Sequence, residues 1–262
     1  MIAMDPTDRG LLLGDGLFET LLALDGKVQR PLVHLARMGR GCAALGLPAP
    51  DPDEALTVIA DALARSGLTH GRAAVRLNWT AGSGGRGLNR PLTLEPRLWA
   101  SAAVSLKPEH PARLMLTSVR RNASSVTAHH KTLSYLDNVM ARREALAVGA
   151  DEALMLNQDG DLACAAASNL FWIEGEQLLT PDLSCGVLAG TERARVLAKA
   201  AEAGIETRLV QAPAEALQKA DGIFLTNSLN GLWPVSHWQG RAVTPSLGAN
   251  ALMGLLGSAS GQ

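Results

Sequence analysis

The stretch His129-His130-Lys131-Thr132-Leu133-Ser134-Tyr135-Leu136-Asp137-Asn138-Val139 decides how the rest of the chain is interpreted. Apolar residues recur at helical spacing after Lys131, at Leu133, Leu136 and Met140, and this spacing predicts a helix that begins close to the lysine. A lysine held at the start of a packed helix keeps its amine accessible, and partial desolvation makes that amine a nucleophile. Taken alone, a solvated surface lysine is the better interpretation, so residues elsewhere must decide.

Composition places the chain among compact globular proteins and narrows its partners. Hydrophobic residues make up 47% of the 262 residues and charged residues 19%, a balance that suits a folded domain rather than a disordered chain. The formal net charge of −1 gives no electrostatic reason to bind nucleic acid or an anionic membrane. No apolar run is long enough to span a bilayer, and residues 1–6 lack the pattern of a signal peptide. We therefore expect neither a nucleic-acid partner nor a membrane partner.

The three cysteines, Cys42, Cys164 and Cys185, are widely separated and form no CxxC pair. That pattern argues against a disulfide framework and a structural zinc site, and it predicts a cytoplasmic protein. His129 and His130 are adjacent, whereas two metal ligands on a helix are spaced four residues apart, so we expect no metal site. The chain also lacks a G-x-S-x-G pattern, which weakens a hydrolase interpretation.

Helices and strands are mixed in the first half of the chain. A helix is predicted over 35–45, and a second one follows Asp51, a capping residue with a proline directly after it. Residues 73–80 and 97–106 are predicted strands, because they are apolar and lie between turn-forming residues. The glycine-rich loop 82–87 lies between these two strands. This order of elements predicts a small α/β domain.

The second half is predicted to contain more strands than helices besides the helix near Lys131. The pattern indicates a strand over 113–119, a hairpin around the turn 157–160, a strand over 169–173 and another over 220–228. A helix with an apolar face is predicted to open at Gly190. We therefore expect a larger C-terminal domain of mixed β and α structure.

The boundary between the two predicted domains lies in a polar segment. Residues 107–111 contain two prolines, which is typical of a linker. We therefore divide the chain into an N-terminal α/β domain over 1–106, a linker over 107–112 and a C-terminal domain over 113–262. The predicted fold class is α+β with two domains and a site between them.

One predicted helix opening and one predicted strand end could bind a phosphate group. Gly190, Thr191 and Glu192 begin a helix, where free backbone amides and the positive end of the helix dipole attract anions. Asn227 and Ser228 end the strand over 220–228, where their side chains could add hydrogen-bond donors. An ordinary helix cap and an ordinary turn are the simpler interpretations of each segment taken singly.

The loop 82–87 is rich in glycine, but it is not a nucleotide-binding P-loop, because no Lys-Ser or Lys-Thr pair follows it. Its one charged residue, Arg86, could instead bind a carboxylate through two parallel hydrogen bonds. A solvated hairpin loop is an equally good interpretation of the loop on sequence alone.

Taken in order along nearly the whole chain, seven segments resemble the fold-type IV pyridoxal-phosphate enzymes. That family includes branched-chain and D-amino-acid aminotransferases and aminodeoxychorismate lyase. The segments are Gly14-Asp15-Gly16-Leu17-Phe18-Glu19-Thr20, His34-Leu35-Ala36-Arg37-Met38, Lys131-Thr132-Leu133, Ala150-Asp151-Glu152-Ala153-Leu154, Ser168-Asn169-Leu170-Phe171, Leu188-Ala189-Gly190-Thr191-Glu192-Arg193, and Ala220-Asp221 through Pro234-Val235. The resemblance implies the two-domain fold of that family, a pyridoxal 5'-phosphate cofactor and a homodimer.

The resemblance also implies which residues bind the cofactor covalently and through its phosphate. Lys131 would form a Schiff base with the cofactor and later move the α-proton of the substrate. Arg37 would pair with the phosphate. Thr191 and Glu192, through backbone amides, and Ser228 would complete the phosphate site, together with Gly190 at the helix opening.

Other matching residues would surround the cofactor ring. Leu188 would pack on one face of the pyridine. Tyr135 resembles the tyrosine that hydrogen-bonds the phenolic oxygen in branched-chain members. Ser168 and Asn169 would line the site, with Asn227 beside the phosphate.

Two features depart from the family pattern. Most members have a glutamate that keeps the pyridine nitrogen protonated, and Cys164 stands at that position here. A thiol is only a weak hydrogen-bond donor or acceptor and supplies no fixed carboxylate charge, so we expect a weaker electron sink. The strand that usually precedes the Gly-Asp-Gly segment is shortened or absent.

The loop 82–87 and the short chain look most like aminodeoxychorismate lyase, which eliminates pyruvate to give 4-aminobenzoate. In that case Arg86 or Arg76 would bind a substrate carboxylate. Tyr135 instead favours amino-acid transamination of the branched-chain or D-amino-acid type. A third alternative is a weakly active or non-catalytic homologue that binds the cofactor, because Cys164 replaces the glutamate.

Overall fold

A computed structural model describes residues 5–257 and contains two compact units. The first unit comprises the described residues up to Leu106 together with His130–Ser134. The second comprises Lys107–His129 and the described chain from Tyr135 onward. Residues 1–4, on which the signal-peptide expectation partly rests, lie outside the described residues. Within residues 5–257, no helix has both the length and the apolar character needed to cross a membrane.

The first unit is a four-stranded antiparallel sheet with helices. Its elements are α1 (Arg9–Leu13), β1 (Gly16–Leu24), β2 (Lys27–Val28), α2 (Pro31–Leu45), α3 (Pro52–Arg65), β3 (Arg72–Thr80) and β4 (Arg97–Val104). The strand order is β2-β1-β3-β4. The long strands β1 and β3 pair in register along their whole length, which makes this sheet a firm platform for the residues on it.

The two faces of this sheet carry different kinds of side chains, because successive residues of a strand point to opposite faces. Leu17 and Leu21 of β1 and Val75 and Leu77 of β3 are almost fully buried and pack in the core formed with α2 and α3. The residues that alternate with them, Phe18 among them, therefore lie on the face opposite those helices.

Two predicted helices of this unit are confirmed. α2 begins at a proline and ends before Gly46, whose left-handed backbone lets its N–H bond to the last carbonyls of the helix. α3 begins after Asp51, whose carboxylate accepts hydrogen bonds from the Asp53 and Glu54 amides. A short helix, α1, precedes β1, and the Asp8 carboxylate caps it.

The second unit is a nine-stranded mixed sheet with four α-helices in its described part. Its elements are β5 (Ala112–Arg121), α4 (Val126–His129), α5 (Leu136–Ala147), β6 (Glu152–Asn157), β7 (Leu162–Ala165), β8 (Asn169–Glu174), β9 (Gln177–Pro181), α6 (Thr191–Glu202), β10 (Thr207–Val210), β11 (Gly222–Asn227), β12 (Gly231–Trp238), β13 (Arg241–Ala242) and α7 (Leu247–Gly257). The strand order is β10-β9-β8-β11-β12-β5-β6-β7, and β13 pairs with β12. The α+β fold class is confirmed.

The helix expected near Lys131 begins at Leu136, five residues after the lysine. Leu136 and Met140, which the spacing assigned to its packed face, are 70% and 40% exposed, so that assignment was wrong. The buried side chains of α5 are smaller: Asn138, Ala141 and Ala145. Small side chains let the helix pack closely on β5 and β6, and sequence spacing alone does not distinguish that face from the apolar one.

The division of the chain into two domains with boundaries at 106 and 113 remains a prediction. His130–Ser134 follows those boundaries in sequence, yet it packs with the first unit. Lys131 is therefore supported by the sheet of the first unit rather than by α5.

A buried charge cluster joins α2 to β1. The Glu19 carboxylate accepts bonds from Arg37 Nε at 2.8 Å and Arg37 Nη2 at 2.5 Å, and its Oε2 lies 2.7 Å from His34 Nδ1. Burial alone would raise the pKa of Glu19, but the hydrogen bonds from Arg37 and His34 outweigh it and hold that pKa below its usual value. The cluster is thus a compensated set of buried charges.

Removing the carboxylate would leave the Arg37 guanidinium buried without its partner. We expect Glu19→Ala to lower the free energy of unfolding by about 3–5 kcal/mol, the usual cost of breaking a buried ion pair. Urea denaturation followed by circular dichroism measures this change. Asp61→Ala, at an exposed position of α3, is the matched control and should change the free energy by less than about 0.5 kcal/mol. Equal stability of the two variants would contradict the pairing.

Candidate active site

The backbone around Lys131 is fixed to β1. The Phe18 N–H donates to the Lys131 carbonyl at 2.9 Å, and the Leu133 N–H donates to the Gly16 carbonyl at 3.0 Å. Between these bonds, Thr132 forms an antiparallel bridge with Leu17. Lys131 therefore sits beside a strand, and its position does not depend on a helix start as the sequence suggested.

The side chain of Lys131 lies against an aromatic ring that it shares with an arginine. Its Nζ is 4.1 Å from the centroid of the Phe18 ring, and the Arg76 guanidinium carbon is 3.6 Å from the same centroid. Both distances are typical of cation–π contacts. The structure thus brings two of the predicted site residues, Lys131 and Arg76, to one ring on the sheet face opposite the helices.

The glycine-rich loop is organised by a buried arginine that the sequence analysis did not single out. Arg9 is 4% exposed, and its guanidinium donates to the main-chain carbonyls of four loop residues at 3.0–3.4 Å: Gly84, Gly87, Leu88 and Asn89. Its Nε also donates to Asp15 Oδ2 at 2.9 Å. One guanidinium with five N–H groups therefore sets the course of the loop that carries the exposed Arg86.

We call the bonds from Arg9 to the loop carbonyls the clamp. Asp15, from the Gly-Asp-Gly segment, links Arg9 to a second arginine. Arg90 donates to both oxygens of Asp15, at 2.5 and 3.0 Å, and also to the Leu45 carbonyl at 2.7 Å. Burial raises the pKa of Asp15, but the hydrogen bonds from Arg90 and Arg9 outweigh it, and the net effect is a lowered pKa. Asp15 therefore links Arg9, which bonds to the loop carbonyls, to Arg90, which follows the loop.

Two of the loop glycines are required by the path of the chain. Gly82 and Gly85 have φ of +78° and +77°, which side-chain-bearing residues rarely adopt. A Cβ atom at Gly82 would lie 1.8 Å from the Glu95 carbonyl oxygen, and one at Gly85 would lie 2.1 Å from the Asn89 carbonyl oxygen. The glycines serve the loop's shape, whatever ligand Arg86 meets.

The clamp predicts the local stability of the loop. Arg9→Met keeps an apolar stem but removes every bond to the loop carbonyls, and charge-assisted bonds contribute about 1.5–3 kcal/mol each. We expect trypsin to cleave native protein after Arg86 about 10- to 100-fold faster in this variant, because the loop opens more often. Arg65→Met, at an exposed position of α3, is the control. Unchanged cleavage in Arg9→Met would contradict the clamp.

In the second unit, hydrogen-bond donors converge at the start of α6. Gly190 is the N-cap of α6, and as a glycine it has no side chain that could bond to the first amides of the helix. The Thr191 hydroxyl lies 3.1 Å from the Ser228 hydroxyl, which follows β11. Two predicted phosphate ligands are therefore adjacent, and we call this group of Gly190, Thr191 and Ser228 the cup.

Asn169 sets the position of the cup. Its Nδ2 donates to the Thr226 carbonyl and hydroxyl at 2.9 and 3.0 Å, which ties β8 to β11. A Cβ atom at residue 190 would lie 2.2 Å from Asn169 Oδ1, so only glycine permits this approach. The helix opening therefore rests directly on the asparagine side chain.

A series of hydrogen bonds between polar side chains lies beneath the turn that carries Ser228. Asn227 Oδ1 accepts from the Leu229 and Asn230 amides, and its Nδ2 donates to Ser168 Oγ at 3.1 Å. Ser168 Oγ in turn lies 3.5 Å from Glu152 Oε2. Glu152 was quoted in the sequence analysis only as part of a matching segment, although a carboxylate at the start of an otherwise apolar strand was a signal.

The remaining predicted site residues are placed as follows. Cys164 is 8% exposed on β7, in a cluster of mostly small side chains that includes Ala153, Ala163 and Ala166. Tyr135 is the N-cap residue of α5 and is half-buried, as are Leu188 and Glu192. Glu192 accepts a bond from Arg195 Nε at 2.6 Å.

Arg37 lies in the first unit and already has a carboxylate partner in Glu19. Glu19 occupies two of the five N–H groups of the guanidinium, on Nε and Nη2. The predicted contact of Arg37 with the cofactor phosphate stays a prediction. Arg86 is exposed on its loop, where it forms an isolated bridge with Asn89.

The surroundings of the buried Glu152 carboxyl stabilise its ionised form poorly. Burial raises the pKa of its carboxyl, and the Arg142 guanidinium at 3.6 Å offsets only part of that effect. The carboxyl does not replace the missing glutamate at Cys164. Alternation along β6 places Ala153 and Met155 in the Cys164 cluster, so the Glu152 side chain points to the other face.

A raised pKa makes the folded state hold the Glu152 proton more tightly than the unfolded chain does. Its contribution to stability is full below about pH 4.3, the unfolded value, and is lost as the pH rises through the folded pKa. Because glutamine does not ionise, Glu152→Gln should lose less free energy of unfolding between pH 5 and pH 8 than the parent. Urea titrations at both pH values measure this. Glu176→Gln, at an exposed turn, should follow the parent, and a Glu152→Gln profile that does so would contradict the assignment.

The sequence is similar to those of proteins from one known family. The family model "Amino-transferase class IV" matches residues 16–238. An aminodeoxychorismate lyase of Bacillus subtilis (strain 168) is 31% identical over 238 residues, covering 88% of this chain and 80% of that protein. A protein of Methanocaldococcus jannaschii, provisionally named a branched-chain-amino-acid aminotransferase, is 31% identical over 241 residues, covering 90% and 83% of the two chains.

A solved structure from Legionella pneumophila, provisionally named 4-amino-4-deoxychorismate lyase, superposes with a TM-score of 0.87 at 27% identity. The superposition covers 98% of this chain and 95% of that one. The match of the family model over most of the sequence agrees with the two-unit α+β architecture. The chain therefore belongs to the class IV aminotransferase family, whose enzymes depend on pyridoxal phosphate.

Proposed function

We propose that this chain is a pyridoxal-phosphate-dependent lyase that eliminates pyruvate from 4-amino-4-deoxychorismate and releases 4-aminobenzoate. The observation that carries the proposal is the cup, where the start of α6, with a glycine as its N-cap, meets two hydroxyl groups 3.1 Å apart. The choice of lyase over aminotransferase is supported by the loop that carries Arg86 and by the similarity to the Bacillus subtilis lyase.

The residues of the cup fit a phosphate group. A phosphate needs several donors at short range, and backbone amides at a helix start supply them along the favourable direction of the helix dipole. Gly190, in contact with Asn169, keeps side-chain bulk away from that position. Thr191, Glu192 (through its amide) and Ser228 would bind the phosphate, with Asn227 fixing the turn and Arg37 as a further proposed contact.

Lys131 is the residue we assign to catalysis. Its Nζ would bind the carbonyl carbon of the cofactor, and after the substrate amine displaces it, the same Nζ would take the proton from the substrate α-carbon. Pyridoxal phosphate, when bound, draws electrons from that α-carbon. The backbone bonds to Phe18 and Gly16 hold the lysine in place for both tasks.

The other proposed cofactor contacts follow the resemblance. Leu188 would pack on the ring, Tyr135 would bond its phenolic oxygen, and Ser168 and Asn169 would line the site. Cys164 would face the pyridine nitrogen. A thiol leaves the charge on that nitrogen unsupported, so we expect a weaker electron sink.

For the substrate, Arg86 and Arg76 are the proposed carboxylate-binding residues. Arg76 lies on the same ring as Lys131, whereas Arg86 extends from the clamped loop. We also propose a homodimer in the cytoplasm. The exposed apolar side chains of α5, Leu136 and Val139, at 70% and 51% exposure, support a second subunit.

The second candidate function is amino-acid transamination of the branched-chain or D-amino-acid type. Tyr135 at the start of α5 and the similarity to the Methanocaldococcus jannaschii protein favour it. The third candidate, a weakly active homologue that binds the cofactor, rests on Cys164 alone.

The first experiment is an absorbance spectrum of the purified protein reconstituted with pyridoxal phosphate, followed by addition of substrate. We expect a visible band, with pyruvate and 4-aminobenzoate released from aminodeoxychorismate. Lys131→Ala should abolish the band and slow release by roughly 100- to 10,000-fold, the usual contribution of a general base. Lys107→Ala, at an exposed position, should behave like the parent.

Each alternative gives a different result. Bleaching of the band by D-alanine, L-leucine or L-glutamate, with release of the keto acid, would replace the lyase by an aminotransferase. A band without turnover of any substrate would favour the weakly active homologue. Protein that stays colourless after reconstitution would overturn all three candidates.

A further inference from the structure

A row of three side chains crosses the first unit's sheet on the face opposite α2 and α3. The strand registers place Phe18 opposite Asn78 and Asn78 opposite Trp99, on β1, β3 and β4. Directly opposed residues of antiparallel strands lie on the same face with Cβ atoms about 4.5–5.5 Å apart. We call Phe18, Asn78 and Trp99 the cross-strand row.

Asn78 presents an N–H group without an acceptor. The residue is 1% exposed, and its Oδ1 accepts a bond from Arg76 Nε at 2.9 Å. Because an arginine nitrogen only donates, this bond fixes which end of the amide faces Arg76 and turns Nδ2 away. Within residues 5–257, Asn78 Nδ2 is buried and has no hydrogen-bond partner.

Trp99 presents a second such group. Its Nε1 is also buried and has no hydrogen-bond partner among the residues that the structure describes. Buried donors are nearly always paired in folded proteins, since an unpaired one destabilises the folded state. Two unpaired donors on directly opposed residues therefore suit an acceptor that is not among residues 5–257.

The charge next to the row indicates what kind of acceptor fits. Arg76 bonds to Asn78 and lies over the ring of Phe18, and Lys131 Nζ contacts that same ring. A guanidinium beside two N–H donors matches the two oxygens of a carboxylate, which accept about four hydrogen bonds. The aromatic rings of Phe18 and Trp99 suit a carboxylate carried on an apolar or cyclic body.

We propose that Asn78 Nδ2 and Trp99 Nε1, together with Arg76, bind a carboxylate group of the substrate beside Lys131. This assignment adds two specificity-determining residues to the proposed function and rests on it for the identity of the substrate. The row contributes neutral donors that fix the orientation of the carboxylate, while Arg76 contributes the charge. A substrate without a carboxylate at this point would leave both donors unpaired.

The test measures binding rather than turnover. Purified protein is titrated by calorimetry with 4-aminobenzoate and with glutarate, and the neutral 4-aminobenzamide serves as the matched probe. Trp99→Phe removes only the indole N–H donor and keeps an aromatic ring, and Asn78→Leu removes the amide at similar volume. Each should weaken binding of at least one carboxylate about 10-fold, the loss expected for one charge-assisted bond, and leave 4-aminobenzamide binding unchanged.

Trp233→Phe controls for loss of an indole, because Trp233 Nε1 already donates to the His110 carbonyl in the second unit. Thermal melting checks that each variant is folded, and Trp99→Phe decides the outcome if Asn78→Leu is not. Carboxylate affinities equal to the parent's in the folded variants would overturn the proposal. A parent that binds neither carboxylate more tightly than 4-aminobenzamide would overturn it too. The lyase assay is separate: weakened carboxylate binding in the variants supports the row even when no pyruvate is released.

Discussion

The attachment of His130–Ser134 to β1 is the interaction on which the candidate site of the first unit depends. Two backbone hydrogen bonds and one bridge hold Lys131 beside Phe18, so the lysine is fixed by main-chain geometry rather than by its own side chain. Backbone bonds do not depend on pH or on salt in the way that exposed ion pairs do. The amine of Lys131 is thus carried by the most regular part of the sheet, while its tip lies against an aromatic face.

The carboxylates of the two units differ in how well hydrogen-bonding partners compensate their charge. In the first unit, Glu19 bonds to an arginine and a histidine and Asp15 bonds to two arginines, so the cost of removing these carboxylates from water is offset by several short bonds. Glu152 in the second unit bonds to main-chain amides, but its one cationic neighbour is a guanidinium 3.6 Å away and its contact to Ser168 is long. The carboxylates of the first unit therefore hold their partners in fixed positions. In the second unit, protonation of Glu152 would change the hydrogen bonds of the side chains beneath the cup.

Most of the architecture could be predicted from local patterns. The Asp51 cap, the glycine after α2 and the alternation of β3 are encoded within a few residues, and the structure follows them. The order of motifs also led to the right family. The buried face of α5 could not be predicted, because alanines pack closer than the larger apolar residues beside them. Asn78 and Trp99 could not be found either, since their relation arises from strand register between residues that are distant in sequence.

The clamp fixes the backbone of the glycine-rich loop without using the side chains of the loop residues. Within the loop, Arg9 bonds only to main-chain carbonyls, and every residue type has a main-chain carbonyl. Gly82 and Gly85 are fixed by close contacts, but residues 86 and 88 point to solvent and contribute nothing to the clamp through their side chains. The loop is therefore a natural position for diversification: a library at these two residues would sample new substrate contacts on an unchanged backbone.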